Sequence, residues 1–413
     1  MIFYIIIAIV LIEFFISRFL DSLNASWRKK ELPDMLKDIY KPEEYEKSQE
    51  YGRVKTKFSM ISSGFQLVII LIVLFTGVFG LVDNFIHSHF ENNIIAALLF
   101  FGAIFFASDI ISLPFSIYST FVIEEKFGFN KTTVKTFILD KIKGYFLALI
   151  IGGGLLALII WFYYKTTSMF WIYAWILVSG FSVFMAMFYS SLIVPLFNKQ
   201  TPLEEGELRD KIHEFSIKTG FRLDNIFVID GSKRSSKANA YFTGLWNKKR
   251  IVLFDTIIKD LSVNEIVAVL AHEIGHYRLK HTRTSILLSI FQTGAIFYLL
   301  SLFIGNPALS NALGGNTPTF ELGIIAFGLL FSPVSEAIGL IMNWVSRKNE
   351  YEADSFAKQQ GQGEHLISSL KKLSVNNLSN LTPHPAYVFA YYSHPTLYQR
   401  IVAITSMSNI QNK

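Results

Sequence analysis

In the second half of this 413-residue chain stands His272-Glu273-Ile274-Gly275-His276. Two histidines four residues apart share one helical face, so both imidazoles can reach a single metal ion. Glu273 points beside that ion rather than at it. From there it can take a proton from an activated water, the general-base role in zinc-assisted hydrolysis. The pattern is that of a metallopeptidase helix.

A catalytic zinc takes three protein ligands and keeps one position open. The extended pattern with a third histidine downstream is absent, because position 279 is Leu279 and position 282 is Thr282. His281 lies five residues beyond His276, and on a continuous helix its side chain projects about 140° away. The third ligand must come from elsewhere. The run Arg347-Lys348-Asn349-Glu350-Tyr351-Glu352-Ala353-Asp354 offers it directly after the last apolar stretch. Glu350 and Asp354 share a face at i, i+4, so one can bind zinc while the other supports a ligating histidine. Spacing alone does not separate Glu350 from Glu352.

The elements that must position these residues are readable around them. Leu261–Lys280 has helical periodicity, with Ser262 as N-cap and Glu265 three residues on, a capping box. Ala271 and Gly275 leave room for close packing. The surrounding segment 198–284 reads as a small α/β unit. Its first helix is predicted over Thr201–Thr219, with Pro202 early, Glu204, Glu205 and Glu207 in the first turn, and Leu208, Ile212 and Phe215 on one face. Strands are predicted at Asn225–Asp230, Tyr241–Trp246 and Arg250–Phe254, with a turn at Asn247–Lys249 suggesting a hairpin.

The rest of the chain is built for a bilayer. Hydrophobic residues make up 51% and charged residues only 17%, against roughly 25% charged in a soluble domain. Seven stretches reach the length of about 20 residues that a spanning helix needs: 2–20, 65–86, 95–117, 145–164, 169–197, 285–305 and 320–345. The first lacks the positive leader of a signal peptide, since the cations begin at Arg18 and Arg28. Loops rich in Lys and Arg (18–60, 124–143, 198–284 and the tail from Ser346) alternate with loops that have almost none. That alternation puts the N-terminus outside or in a lumen and the C-terminus in the cytosol. Glu13, Asp109 and Glu336 fall inside spans. Such acids face a bundle interior or a water-filled cavity, although Glu13 and Asp109 can also be read as lying near helix ends. The net charge of +6 follows the loops instead of forming a patch, so nucleic acid is not an expected partner. There are no cysteines, which excludes disulfides, thiol nucleophiles and prenylation of this chain itself. The resulting organisation is a predominantly α, polytopic membrane protein in four parts: spans one to five over 1–197, the cytosolic metalloprotease insert over 198–284, spans six and seven over 285–345, and a cytosolic C-terminal part over 346–413.

Several stretches together resemble the type I CAAX prenyl proteases, membrane metalloproteases of the gluzincin type. They are His272–His276, SRKNEYEADSFA at Ser346–Ala357, IVPLFNKQTPLEEGELR at Ile193–Arg209, SKRSSKANAYFTG at Ser232–Gly244, RIVLFDT at Arg250–Thr256, FVIEEKFGFNK at Phe121–Lys131 and YYSHPTL at Tyr391–Leu397. They run through nearly the whole chain in the family's order. The resemblance implies Glu350 as third ligand to one Zn²⁺ per chain, which leaves Asp354, by its spacing, to support a ligating histidine; it also implies His394 close to the metal, where it can donate to a tetrahedral oxyanion. It also implies that Asn239 and Ala240 precede a strand able to pair with an extended peptide substrate. His384, which also precedes a proline, reads only as a cap or packing residue. The implied architecture is seven helices around a large chamber, with the small α/β zinc-metalloprotease domain at the cytosolic end. The implied reaction is removal of the C-terminal tripeptide of a prenylated CaaX peptide in the endoplasmic reticulum or a bacterial inner membrane, with membrane lipids as surroundings. Lys237 departs from the family, which carries a polar residue there, often histidine. The alternatives are a broad-specificity quality-control metalloprotease or, outside enzymes, a transporter or inactive scaffold.

Overall fold

Apolar runs that must satisfy every backbone group internally become long helices in the computed structural model, which describes residues 1–28, 31–221, 225–243 and 250–406. The N-terminal half contains α1 (Ile2–Trp27), α2 (Pro42–Phe75), α3 (Val78–His89), α4 (Asn93–Tyr118), α5 (Val134–Leu147), α6 (Gly154–Thr166), α7 (Phe170–Leu192) and the short α8 (Val194–Phe197). A π-helical turn at Ser119–Glu124 extends α4, and another at Ala148–Gly153 joins α5 to α6.

Six helical stretches among the described residues are long and apolar enough to cross a membrane: Ile2–Trp27, Pro42–Phe75, Asn93–Glu124, Val134–Phe197, His281–Phe303 and Phe320–Gln359. The fourth, 64 residues long, turns back at Thr167–Met169, and α6 packs on α7. It therefore contains both apolar runs expected at 145–164 and 169–197. The run expected at 65–86 is not one helix. It is cut at Gly77, whose φ of 64° ends one helix and opens the next. The spanning helix α2 instead begins at Pro42, and its first half is charged. Those residues are good helix formers, and the Lys41 N–H donates to Glu44 Oε2 at 3.2 Å across the first turn.

The spanning helices bury only a small part of their apolar surface. A helix against a solid core buries a stripe about 100° wide, more than a quarter of its circumference. Here only 6–17% of each apolar window is buried, and the buried contacts gather in two clusters, one around Ile6, Phe79 and Phe100 and one around Ile160, Phe170 and Phe320. The acids within spans have polar neighbours or line a cavity. Ser332 Oγ donates to Glu13 at 2.6 Å, and Lys141 and Tyr145 both donate to Asp109. Glu336 lines a cavity of about 740 Å³ with Ser332 and Ser335. Glu13 and Asp109 are thus hydrogen-bonded to neighbouring helices, not left at helix ends. One end of the bundle is closed by a tight backbone contact. The Gly80 N–H donates to the Leu313 carbonyl at 3.0 Å, and a Cβ at Gly80 would meet the Gly314 oxygen at 2.0 Å.

Beyond the bundle, β1 (Gln200–Pro202), β2 (Asn225–Ile229), β3 (Ala240–Thr243) and β4 (Arg250–Phe254) form one sheet in the order β1-β2-β4-β3. β2 and β4 are parallel, whereas β1 pairs antiparallel with β2 and β3 antiparallel with β4. The β3–β4 pairing is the expected hairpin, although the turn Asn247–Lys249 and the predicted strand end at Trp246 lie outside the described residues. The helix predicted over Thr201–Thr219 is shorter than expected. Gln200–Pro202 is edge strand, where the missing N–H of Pro202 costs nothing, and helix α9 covers Glu207–Lys218. Its apolar face is the expected one, with Ile212 and Phe215 buried.

The remaining helices are α10 (Asp255–Asp260), α11 (Val263–Arg278), α12 (His281–Phe303), α13 (Pro307–Ala312), α14 (Phe320–Gln359), α15 (Gly363–Asn376), α16 (Pro385–Tyr391) and α17 (Leu397–Ser406). One core joins the sheet to α11 through Ile212, Ile251, Leu253, Ile257, Ile266, Leu270 and Ile274, and Ala357, Leu366 and Ile404 complete it from the C-terminal part. Each large side chain buried there contributes about 1.5–3 kcal/mol. The insert alone does not close its own core.

Candidate metal centre

The site starts from a helix that the sequence starts cleanly. Ser262 Oγ accepts from the Glu265 N–H and Glu265 Oε2 accepts from the Ser262 N–H at 2.7 Å, the expected capping box. Burial raises the Glu265 carboxyl, but hydrogen bonds from Lys372, Ser368 and Ser262 outweigh it and hold it down at about 2. The start of α11 is thereby tied to α15. Ten residues on, Gly275 lets α11 approach α14 until a Cβ there would sit 3.1 Å from the Ala353 Cα. That closeness decides which residues of α14 face the histidines.

They are Glu350 and Asp354, one turn apart and both buried. His272 Nε2 and His276 Nε2 lie 3.1 Å apart. Glu350 Oε1 is 3.2 Å from His276 Nε2, and Glu350 Oε2 is 3.4 Å from His272 Nε2. Zinc bonds of 2.0–2.1 Å in tetrahedral array separate neighbouring donor atoms by about 3.3 Å. One donor atom from each of the three residues lies within 4.8 Å of the others, and the closest approaches match the spacing of ligands to one such ion. Their chemistry agrees: two imidazole nitrogens and a carboxylate face one point, and Glu350 Oε2 is buried with no hydrogen-bond partner of acceptable geometry. Glu352, which spacing left equivalent to Glu350, points elsewhere and is 42% exposed.

Around the three donors the contacts are charged throughout. Asp354 Oδ1 lies 2.8 Å from His272 Nδ1. Arg400 grips the same carboxylate with both arms, Nε to Oδ2 at 2.8 Å and Nη2 to Oδ1 at 2.6 Å, and its Nη1 is 3.5 Å from Glu350. Burial would lower the Arg400 guanidinium, but Asp354 and Glu350 hold it charged and raise it. Burial also pulls the His272 imidazole down, yet its bonds to Asp354 and Glu350 prevail and push it up to about 9. The cluster favours positive charge at this point. His394 stands 62% exposed on the open side, its Nε2 3.3 Å from Glu350 Oε1. Glu273 is half-buried and close enough to Arg400 to be among the charges that raise it.

His272, His276, Glu350, Asp354 and His394 therefore converge as a cluster. Asn239 and Ala240 are not in its hydrogen-bond network. Asn239 is exposed, and its side-chain oxygen accepts from the Ala240 N–H at the start of β3, a strand that packs on α11. His281 does not project away from the site. The helix breaks after Leu279 because Lys280 takes a left-handed φ of 65°, and the new helix α12 aims His281 back. Its Nδ1 is 3.0 Å from His276 Nδ1 and its Nε2 is 3.0 Å from Glu352. Arg400 was missed outright. Leu397, Arg400, Ile401 and Ile404 share one stripe of α17, and a cation within an apolar stripe was a signal that it would be buried and paired. His384, by contrast, caps α16 as expected, its Nδ1 accepting from the Ala386 N–H.

Comparison with known proteins fits this geometry. Residues 22–199 match the family model for the CAAX prenyl protease N-terminal region with five membrane helices, and residues 202–408 match peptidase family M48. The chain is 38% identical over 403 residues to CAAX prenyl protease 1 of Saccharomyces cerevisiae, covering 91% of this chain and 89% of that one. The chain belongs to the CAAX prenyl protease family. The homologue of Homo sapiens is 33% identical over 422 residues, covering 91% and 89%. The crystal structure of S. mikatae Ste24p superposes with a TM-score of 0.91 at 37% identity, covering 98% of both chains. As a family member the protein is a multi-pass, membrane-embedded metallopeptidase that acts on a peptide. Lys237, the departure from the family's pattern, is held by Glu124 Oε2 and Tyr51 Oη, each at 3.0 Å. It fastens the metallopeptidase unit to α2 and to the π turn after α4.

Proposed function

We propose that this protein removes the C-terminal tripeptide from prenylated CaaX peptides, using one Zn²⁺ held by His272, His276 and Glu350. The observation that carries the reading is the matched spacing of those three donors around one point. A bound zinc would supply Lewis acidity, polarising the scissile carbonyl and acidifying a water. Glu273 accepts the proton of the attacking water and returns it to the leaving amine. Asp354 accepts from His272 Nδ1 and so keeps Nε2 as the lone-pair nitrogen. His394, on the exposed side of Glu350, donates to the developing oxyanion. The substrate pairs as an extended strand along β3, beginning at Asn239 and Ala240. Among the described residues β3 is the last strand of the sheet, with one edge that pairs with no other strand.

The reading extends to the membrane. Seven spans, counting the folded-back stretch 134–197 as two, put the N-terminus outside or in a lumen and the metal centre in the cytosol, as the basic loops favour. A chamber between the helices, as the resemblance implies, holds the isoprenoid and the chain attached to it. The compartment is the endoplasmic reticulum or a bacterial inner membrane. The 198–284 insert and the 346–413 part act as one catalytic body, in keeping with their common core.

The deciding experiment uses the purified full chain and a farnesylated CaaX peptide. The tripeptide is released, release stops with a zinc chelator, and added Zn²⁺ restores it. Equal cleavage of the unprenylated peptide would favour broad quality-control proteolysis. No cleavage of either, with zinc bound and lost in His272→Ala/His276→Ala, would remove the CaaX assignment while leaving the metal centre.

A further inference from the structure

At the other end of α14 a second set of metal-type side chains converges. Asp83 and His87 stand four residues apart on α3, and Glu321 lies in the first turn of α14. One donor atom from each falls within 4.8 Å of the others. His87 Nε2 is 2.8 Å from Glu321 Oε1 and 3.8 Å from Asp83 Oδ1. The hydroxyl of Thr319 donates to Asp83 Oδ1 at 3.0 Å and fixes that carboxylate. The other two carboxylate oxygens, Asp83 Oδ2 and Glu321 Oε2, are buried and have no hydrogen-bond partner. Asp83 and Glu321 are 1% and 0% exposed, whereas the His87 side chain is 25% exposed.

Two carboxylates at this depth require compensation, because uncompensated buried charge costs several kcal/mol per ion. The one histidine, even protonated, offsets only one of them. We propose that Asp83, His87 and Glu321 bind a divalent cation of the class that accepts mixed imidazole and carboxylate ligands, Zn²⁺ or Mn²⁺. The two orphaned oxygens then gain a partner, and the partly exposed imidazole marks the side from which the ion enters. Glu321 and Glu350 are 29 residues apart on one helix, roughly 40 Å, so this site is independent of the metal centre. Its effect is structural. The ion ties α3 to α14 beside the Gly80–Gly314 contact, closing a loop of 234 residues between His87 and Glu321.

Elemental analysis of the full-length protein, equilibrated with Zn²⁺ or Mn²⁺ and freed of unbound metal, tests this directly. Two ions per chain are expected in the wild type, and one in Asp83→Asn and in His87→Ala. His272→Ala/His276→Ala keeps one, and removing that ion lowers its thermal midpoint. One ion per wild-type chain, lost completely in His272→Ala/His276→Ala, would overturn the proposal and leave a proton shared between the two carboxylates. Two ions per chain in a folded Asp83→Asn/Glu321→Gln protein would place the second ion elsewhere and overturn it equally.

Discussion

Glu273→Gln abolishes peptide hydrolysis while leaving the metal in place. The carboxamide keeps the size of the side chain but cannot accept a proton, so the loss is the whole contribution of general-base catalysis, about 10²–10⁴-fold. Glu273 is not one of the three converging donors, so zinc content stays at one per chain at the catalytic site. Tripeptide release and elemental analysis on the same preparation read the two quantities separately. Activity within tenfold of wild type would dismiss Glu273 as the base. Loss of metal together with activity would mean that it contributes to binding.

Arg400→Leu has the second large effect, on stability and on metal affinity together. The guanidinium is bidentate on Asp354 and touches Glu350. Its removal leaves two buried carboxylates without their cation, a change that costs about 3–5 kcal/mol. Asp354, no longer held, loses its grip on His272, and affinity for zinc falls by about 10–100-fold. Lysine restores the charge but not the two-armed geometry, so Arg400→Lys falls between leucine and wild type. Zinc titration and thermal unfolding of the three proteins provide the check. An Arg400→Leu protein with wild-type midpoint and wild-type zinc affinity would show that Arg400 neither stabilises nor positions the site.

How far the sequence could be read depended on whether the relevant signal was local. The His272–His276 spacing, the Ser262–Glu265 box and the small residues Ala271 and Gly275 are local rules, and the folded helix obeys them. Glu350 and Asp354 were legible as a face, but their separation from Glu352 depends on how closely α14 approaches Gly275, which no spacing encodes. His281 was misjudged because the 140° projection assumed an unbroken helix. A left-handed residue at Lys280 is uncommon outside glycine, and nothing nearby announced it. The second span was misplaced for a related reason: hydropathy marks where lipid begins, not where α2 starts, and its charged first half is helical on propensity. Pro202 and its acidic neighbours are good helix-start residues, yet the edge of β2 captured Gln200–Pro202 first. Arg400 lay in plain view as a cation on an apolar stripe, but its partners come from α14, 46 residues away.

The unbroken length of α14 gives the chemistry a mechanical dimension. The helix holds Glu321 at one end, passes the bilayer, carries Pro333 within it and delivers Glu350 near the other end. From Pro333 to Glu350 is a lever arm of about 25 Å. A tilt of about 5° at the proline, the kind of adjustment a helix makes when its apolar length exceeds the lipid thickness, sweeps Glu350 through about 2 Å. Displacements of that order are costly, since about 1 Å can mean a hundredfold in rate. Two donors ride on α11 in the aqueous body and the third on a rod set by the lipid, so hydrolysis in vesicles should vary with acyl-chain length. A flat response would show that the contacts around Ala353 and Arg400 absorb the tilt. Otherwise, the thickness of the host membrane is itself one of the coordinates of the active site.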